Sequence, residues 1–362
     1  MIEFLKNTEE AKQVKDIVVA MASKNRDEAW RAREAFAALV GPVIPQVVDQ
    51  LATSKALYKD ISYNFGTMPR IPVDMFQDND EGLYDIWSIA TDGGLATNEV
   101  FGGDEYAVRT YKLASAVSFA KEFAAAGQVD VIAKILNRMA QEILVKQEYQ
   151  AWSVVCRALG SATGHLIQSV AKAASATRNI VPEDFNQLLL TSELLRSSWA
   201  GGTPASRVGQ GVTDIFLSPQ SMAKIRAMAY NPVNNLLTTE VVTLPEAYRA
   251  QLFNSSGTSE FMGKKITVLR ELGVGKPYTQ LLDQYYSGTP TLDSSTEEVI
   301  LGVDLSVDAF IRVIAQDSDT GSTFTLSPDD QFVVRSGKLG YYGSMEEGRI
   351  CGDNKAVVGL IW

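Results

Sequence analysis

His165 is the one imidazole in the chain, so chemistry that needs two of them is absent from the outset. Imidazole is the usual proton shuttle near neutral pH and the commonest metal ligand, and its scarcity removes two-histidine zinc sites and most three-histidine sites. His165 stands in Gly164-His165-Leu166-Ile167, just past a predicted helix end, where a packed or solvated role is expected rather than a catalytic one. Cys156 and Cys351 are the only cysteines. They show no Cys-x-x-Cys or mixed Cys/His spacing, which excludes a zinc set and a redox pair and fits folding in a reducing cytoplasm. Ser221-Met222-Ala223-Lys224 and Ser169-Val170-Ala171-Lys172 each match a bare Ser-x-x-Lys, a spacing that sets hydroxyl and amine on one helical face. Neither has the Ser-Asp-Asn or Lys-Thr-Gly companions of that chemistry, and no Gly-x-Ser-x-Gly turn occurs. Gly263-Lys264 and Gly275-Lys276 lack the upstream glycine spacing and following Ser/Thr of a phosphate loop. Asp78, Asp80 and Glu81 resemble part of a calcium loop without its bidentate Glu or turn glycine, and read as a solvated loop tip. No catalytic, cofactor-binding or metal-ligating residue is assigned, and the chain is expected to be no enzyme and to need no cofactor.

Charge narrows the partners. Against 43 Asp plus Glu the chain has 33 Lys plus Arg, a net charge of −10, so it has no general attraction to phosphate backbones or to anionic membrane surfaces. Met1-Ile2-Glu3-Phe4-Leu5-Lys6 carries charge where a signal peptide needs apolar residues. The most apolar stretch, Phe36 to Val48, is broken by Gly41, Pro42 and Pro45 and is too short to span hydrocarbon, so no membrane partner is expected. A composition of 46% hydrophobic and 21% charged residues is that of a folded globular chain rather than a disordered or fibrous one.

The elements that must carry these residues follow from periodicity. From Thr8 to about Val40 the pattern is helical, with Val14, Ile17, Val18 and Met21 on one face and Ala29, Ala32, Phe36 and Leu39 on another stripe. A further short helix is predicted from about Pro45 to Tyr58, with Val47, Val48 and Leu51 inward. These segments read as an arm that docks on its own body or on a neighbour. From Ile61 to about Leu113 come strand-like pieces, among them Ile71 to Met75, Leu83 to Ile89 and Glu105 to Leu113. Between Ile61 and Ala125 four bases face ten acids, and a segment so charged needs a partner surface rather than a core of its own.

The longest helix is predicted over Gln128 to Gly160, with Ile132, Ile135, Leu136, Met139 and Ile143 on one face, then Trp152, Val155 and Leu159 after a polar gap at Lys146, Gln147 and Glu148. At about 1.5 Å per residue it would run about 50 Å, the length of a strut. Val181 to Gly202 reads as a helix carrying Phe185, Leu188, Leu195 and Trp199 inward. Thr213 to Leu217 reads as a strand that breaks at Ser218-Pro219 into a helix with Met222, Ile225 and Met228. Ile266 to Leu269 is a strand and Gly273 to Pro290 irregular. Beyond Glu298 strands are expected at Val299 to Leu305, Phe310 to Ala315, Phe324 to Leu326, Gln331 to Arg335 and Lys355 to Trp362, with Phe332, Val334, Val357 and Ile361 in the core and Trp362 packed.

Two stretches carry a resemblance: YKLASAVSFAKEFAAAGQVDVIAKILNRMAQEILVKQEYQAWSVVCRAL (Tyr111 to Leu159), a strand leading into a spine helix, and TDIFLSPQSMAKIRAM (Thr213 to Met228), a strand and helix of an axial domain. With the order helical arm, acidic β segment, long helix, strand-Pro-helix and terminal strands, the chain resembles the major capsid proteins of tailed bacteriophages with the HK97-type fold, an α+β fold. The resemblance covers essentially the whole chain. It implies an N-terminal arm at 1–60, an extended E-loop at 61–111, a peripheral domain with the spine helix at 112–175, an axial domain at 176–290 and peripheral C-terminal strands at 291–362.

The implied function is a major capsid protein that assembles as hexamers and pentamers into an icosahedral shell around double-stranded phage DNA. Its main partner is then itself. The other implied partners are a separate scaffolding protein, since only about sixty residues precede the E-loop, a portal, a possible decoration protein, and packaged DNA held without sequence-specific binding. Its place is the virion, after assembly in the host cytoplasm. Arg70 and Arg109, basic residues in an otherwise acidic segment, are the candidates for contacts between subunits, with ordinary surface charge as the plain alternative. Two other functions stand beside this one: an encapsulin-like compartment enclosing cargo enzymes, and an unrecognised enzyme that works without histidine, through Asp, Glu or Ser221 with Lys224. Some capsid proteins of this kind crosslink through an E-loop lysine, and no lysine lies between Lys59 and Lys112 here. Mature particles should therefore run as single chains on a denaturing gel; a ladder of subunit multiples would contradict this.

Overall fold

In the computed structural model, residues 8–72, 105–170, 180–195, 211–228, 233–234, 241–242, 260–317, 321–329 and 337–362 are described. The chain divides into two compact units, one drawn from 1–70, 107–151 and 311–350, the other from 71–106, 152–310 and 351–362.

The first unit begins with three helices, α1 (Thr8–Ala20), α2 (Arg26–Val40) and α3 (Val43–Leu51). The helical pattern expected over 8–40 is cut in two because Asn25 caps α2: its side chain accepts from the Asp27 N–H at 3.2 Å, and Asp27 and Glu28 place negative charge at the helix start. Val14, Val18 and Met21 are buried as expected. Leu39 and Leu51 are not, at 44% and 60% exposed. The buried stripe of α2 is Ala29, Arg33, Phe36, Ala37 and Val40, which turns Leu39 outward. Four strands and a helix follow in chain order: β1 (Lys59–Asn64), then β2 (Arg70–Pro72) and β3 (Glu105–Ala107), which form a two-stranded ladder mostly in the second unit, then β4 (Thr110–Ala120) and α4 (Lys121–Ala125). The strand expectations at Val73, Met75, Leu83, Ile86 and Ile89, and the acids Asp78, Asp80 and Glu81, lie outside the described residues.

The long helix is α5 (Val129–Ser161), 33 residues as predicted, of which those up to Ala151 belong to the first unit. Its Ile132, Leu136, Met139 and Ile143 form one core with Val18, Met21, Phe36, Ile44 and Val48 of the N-terminal helices and with Phe119, Leu339, Tyr341 and Met345 of a sheet. Tyr341 sits between Phe36 and Phe119, with ring centroids at 5.7 and 6.2 Å. Each large side chain so buried contributes about 1.5–3 kcal/mol. Much of the apolar surface of α1, α2 and α3 is therefore buried within their own chain, while Val19, Leu39 and Leu51 stay exposed.

The sheet of this unit runs β1, β12 (Phe310–Gln316), β14 (Lys338–Cys351), β13 (Thr325–Asp329), with β4 also on β14. β1 and β12 are parallel; β4 and β13 are antiparallel to β14. The 14-residue β14 is absent from the sequence expectations, while Gln331 to Arg335, with Phe332 and Val334, lie outside the described residues.

The second unit holds a six-stranded sheet in the order β5 (Leu166–Gln168), β15 (Val357–Ile361), β11 (Val299–Val303), β6 (Asp214–Leu217), β10 (Lys264–Val268), β9 (Glu260–Phe261). Residues 291–362 thus divide, β11 and β15 joining this sheet and the strands between them the other. Register sorts the two faces of the six-stranded sheet. Ile215, Leu217, Ile300, Val358, Leu360 and Trp362 share one, with Ile266. That face is covered by α6 (Pro182–Leu195) through Phe185 and Leu188 and by α7 (Pro219–Ala227) through Met222 and Ile225. The opposite face presents Phe216 to Trp152, 5.1 Å between centroids, and Trp152 stacks on Tyr278. Covered on both sides, β11 buries all five residues instead of alternating. Tyr278 belongs to α8 (Pro277–Tyr285), a helix in the stretch expected to be irregular; Pro277 starts it and Tyr278, Leu281 and Leu282 form its buried stripe. The last ladder pairs β7 (Val233–Asn234) with β8 (Val241–Val242). The glycine of Gly263-Lys264 serves a two-residue hairpin between β9 and β10, with Met262 and Gly263 both at positive φ.

Asp184, fully buried in the first turn of α6, holds the chain on either side of residues 171–179. It accepts from the N–H groups of Val170 and Val181, both at 2.8 Å, and from the Ser169 hydroxyl. Burial nevertheless raises its carboxyl above the ordinary 3.8, the hydrogen bonds opposing this. Between the ordinary and the raised value the folded chain keeps a proton that the unfolded chain has lost, so this group's contribution to stability falls as pH rises through that window. Thermal melts of the parent and of Asp184→Asn at several pH values above 3.8 should show the parent's margin over the variant shrinking with rising pH and then levelling; a margin that grows with pH would contradict the assignment.

Candidate functional site

The polar gap in the α5 stripe marks the most concentrated polar site of the first unit. Gln147 is buried and Glu148 half-buried, and both point at elements the apolar pattern alone does not connect. The counterpart is β14, whose glycines hid it as a strand. A Cβ on Gly348 would lie 2.7 Å from the carbonyl oxygen of Arg109, and one on Gly343 would lie 2.5 Å from the ring of Phe324. Glycine here lets neighbouring groups approach closely.

Glu347 is the centre. It has no exposed surface, and its carboxylate accepts from Arg312 Nε at 2.9 Å, Tyr111 Oη at 2.7 Å and Gln147 Nε2 at 3.1 Å, with Arg349 Nη2 at 3.4 Å. Tyr111 faces it directly across the β4–β14 ladder. Arg312 also lies 3.7 Å from Asp60 of β1. Arg349 stacks over Tyr58 at 5.0 Å, and the Tyr58 hydroxyl donates to the carbonyl of Ala151. Burial first, then the charge of Glu347, raises the Tyr111 phenol far above its ordinary value and keeps it a donor.

Neighbouring residues point to opposite faces of a strand, so Glu346 serves a second group. It accepts from Tyr63 of β1 and Thr110 of β4, both at 2.8 Å, and burial together with that hydrogen bond pushes the Tyr63 phenol up to about 12. Tyr63 and Thr110 stand at the two feet of the acidic segment 61–111. Glu148 completes the site from α5: it accepts from the Ser54 N–H at 3.0 Å, the Ser54 hydroxyl at 2.9 Å and the Thr53 hydroxyl at 2.5 Å. Beside the site a cavity of about 320 Å³ is lined by Asp60, Gln147, Arg312 and Gln316 together with Ile44 and Val48. The arrangement fixes geometry; its polar groups hold one another, and the described residues contain no cluster fit to hold a metal ion.

Arg70 and Arg109 are both exposed, at the feet of the same segment, and neither joins the Glu347 group; the arginines that pair there are Arg312 and Arg349. His165 is buried, and its Nδ1 donates to the carbonyl of Val357 at 2.9 Å, a packing role. Ser221 is buried against Glu298 and the indole N–H of Trp362, whereas Lys224 is exposed, so the two form no dyad. Lys172 lies outside the described residues. Burial pushes the Cys156 thiol up to about 12 and leaves it inert.

No family model matches the chain, and no curated protein matches it in sequence. Solved structures do. The capsid of a native GTA particle is 12% identical over 86% of this chain and 91% of that one, with a TM-score of 0.52. The capsid of an empty GTA particle is 10% identical over the same shares, with a TM-score of 0.51. The capsid of the cyanophage P-SCSP1u is 13% identical over 84% and 86%, at 0.49, and adds nothing to the argument. At these identities the likeness is one of fold.

Removing one member of a buried, hydrogen-bonded charge group costs about 3–5 kcal/mol because its partners remain buried and uncompensated. Glu347→Gln should therefore lower unfolding free energy by about 3 kcal/mol in denaturant titration, and Glu346→Gln, with neutral partners, by about 1 kcal/mol. Equal small losses would show that Glu347 is not the centre of the site.

Proposed function

Because this chain has the HK97-type capsid fold, we propose that it is the subunit of a major capsid shell, assembling as hexamers and pentamers into an icosahedral container for double-stranded phage DNA. The observation that carries this is fold likeness to a particle capsid along nearly the full length of both chains, 86% and 91%. The site fits the role. A shell subunit needs contacts fixed in geometry that add up over many copies, since association entropy offsets much of the apolar burial at any one of them. The Glu346 and Glu347 groups set the feet of the acidic segment, the part of the chain whose composition most needs a partner surface.

The net charge of −10 suits a container that holds DNA without gripping it. On this reading the chain works as a structural component of the virion rather than as an enzyme, meets itself first, and is joined by a separate scaffolding protein, a portal and a decoration protein, with assembly in the host cytoplasm. Arg70 and Arg109, exposed at the feet of the acidic segment, are proposed to contact a neighbouring subunit.

Expression with and without the scaffold, followed by electron microscopy, should give closed shells. Particles recovered from infected cells should contain nuclease-protected duplex DNA. A permanent monomer would refute the shell, and cargo protein in place of DNA would make it an enzyme compartment. In the same assay Arg70→Ala together with Arg109→Ala should lower shell yield; an unchanged yield would remove those two residues from the contact.

A further inference from the structure

Helices α6 and α7 cover one face of the six-stranded sheet, and their outward faces differ in character. On α6 the inward residues Phe185, Leu188 and Ser192 leave Leu190 and Leu194, one turn apart, pointing away at 54% and 62% exposed. Two leucines on one exposed stripe are apolar surface that burial would stabilise. Among the described residues of α6 the exposed charges are Glu183 and Glu193, both acids, and the helix has no base. Helix α7 is the reverse. Its nine residues include Lys224 and Arg226 and no acid, and both bases are exposed beside Ala223.

We propose that the outward face of α6 is an interface whose occupant is α7 of a second copy of this chain, with Leu190 and Leu194 over Ala223 and the methylenes of Lys224, and Glu193 facing Lys224 and Arg226. Two α6 faces brought together would set like charges against each other, and two α7 faces would do the same, so the charge pattern selects the unlike pair. A contact between two different patches is heterologous, and such contacts close into rings when the rotation allows. Long basic side chains cover apolar neighbours with their stems while keeping the charge in water, which suits Lys224 to a leucine surface. The inference rests on the assembly reading above and names the surface through which copies meet.

The test uses the full chain. Glu193→Lys and Lys224→Glu, each alone, should lower the fraction sedimenting as shells by at least about tenfold, while the melting transition of the subunit stays at the parent value because both positions are exposed. Combining both changes in one chain should restore shells. Leu190→Gln with Leu194→Gln should abolish them in every combination. Shells from the parent together with unaffected single variants overturn the pairing, and so does a double variant that stays unassembled while it melts like the parent. If the parent itself forms no shells, it is the assembly reading that has failed.

Discussion

A carboxylate taken wholly out of water is tolerable only when its charge is answered on the spot. Glu347 meets that condition with two guanidinium groups, a phenol and an amide, drawn from β12, β14, β4 and α5. Because each donor stands on a different element, the carboxylate specifies where all four must lie, which apolar packing of the same elements would do less sharply. Arg312 passes the constraint on to Asp60 of β1, and Arg349 passes it to Tyr58.

That constraint bears on function through the neighbouring Glu346. Tyr63 and Thr110 lie near the two ends of the acidic segment 61–111, and one half-buried carboxylate accepts from both. For the proposed contact with a neighbouring copy, held ends matter, since freedom at the base of a segment raises the entropy lost on contact. The N-terminal helices give apolar residues to the core they share with the sheet and the first part of α5.

Much of the frame was legible in the residues. The 33-residue helix, the Ser218-Pro219 helix start and the buried Trp362 follow from periodicity, capping and aromatic content, which are local properties. Three features were not legible. Leu39 was assigned inward because its neighbours allowed two stripes, and only the partner surface chose between them. Strand β14 was missed because its glycines interrupt the apolar pattern, whereas Gly343 and Gly348 are places where neighbouring atoms come too close for a side chain. The site itself left one trace, the gap at Gln147 and Glu148, whose partners Met345, Glu347, Ser54 and Thr53 are remote in sequence.

By itself the sequence determined that two-histidine metal sites and a Cys-x-x-Cys pair are absent, and it placed most of the helices and several of the strands. Those conclusions rest on residue type and spacing along the chain, where steric and hydrogen-bonding preferences act within a few residues. The tertiary structure decided which of the charged residues are structural. It selected Arg312, Arg349, Glu346 and Glu347 and left Arg70 and Arg109 at the surface. Whether a charge is buried and paired depends on which remote segments surround it, and that is a property of the packed fold rather than of any local pattern.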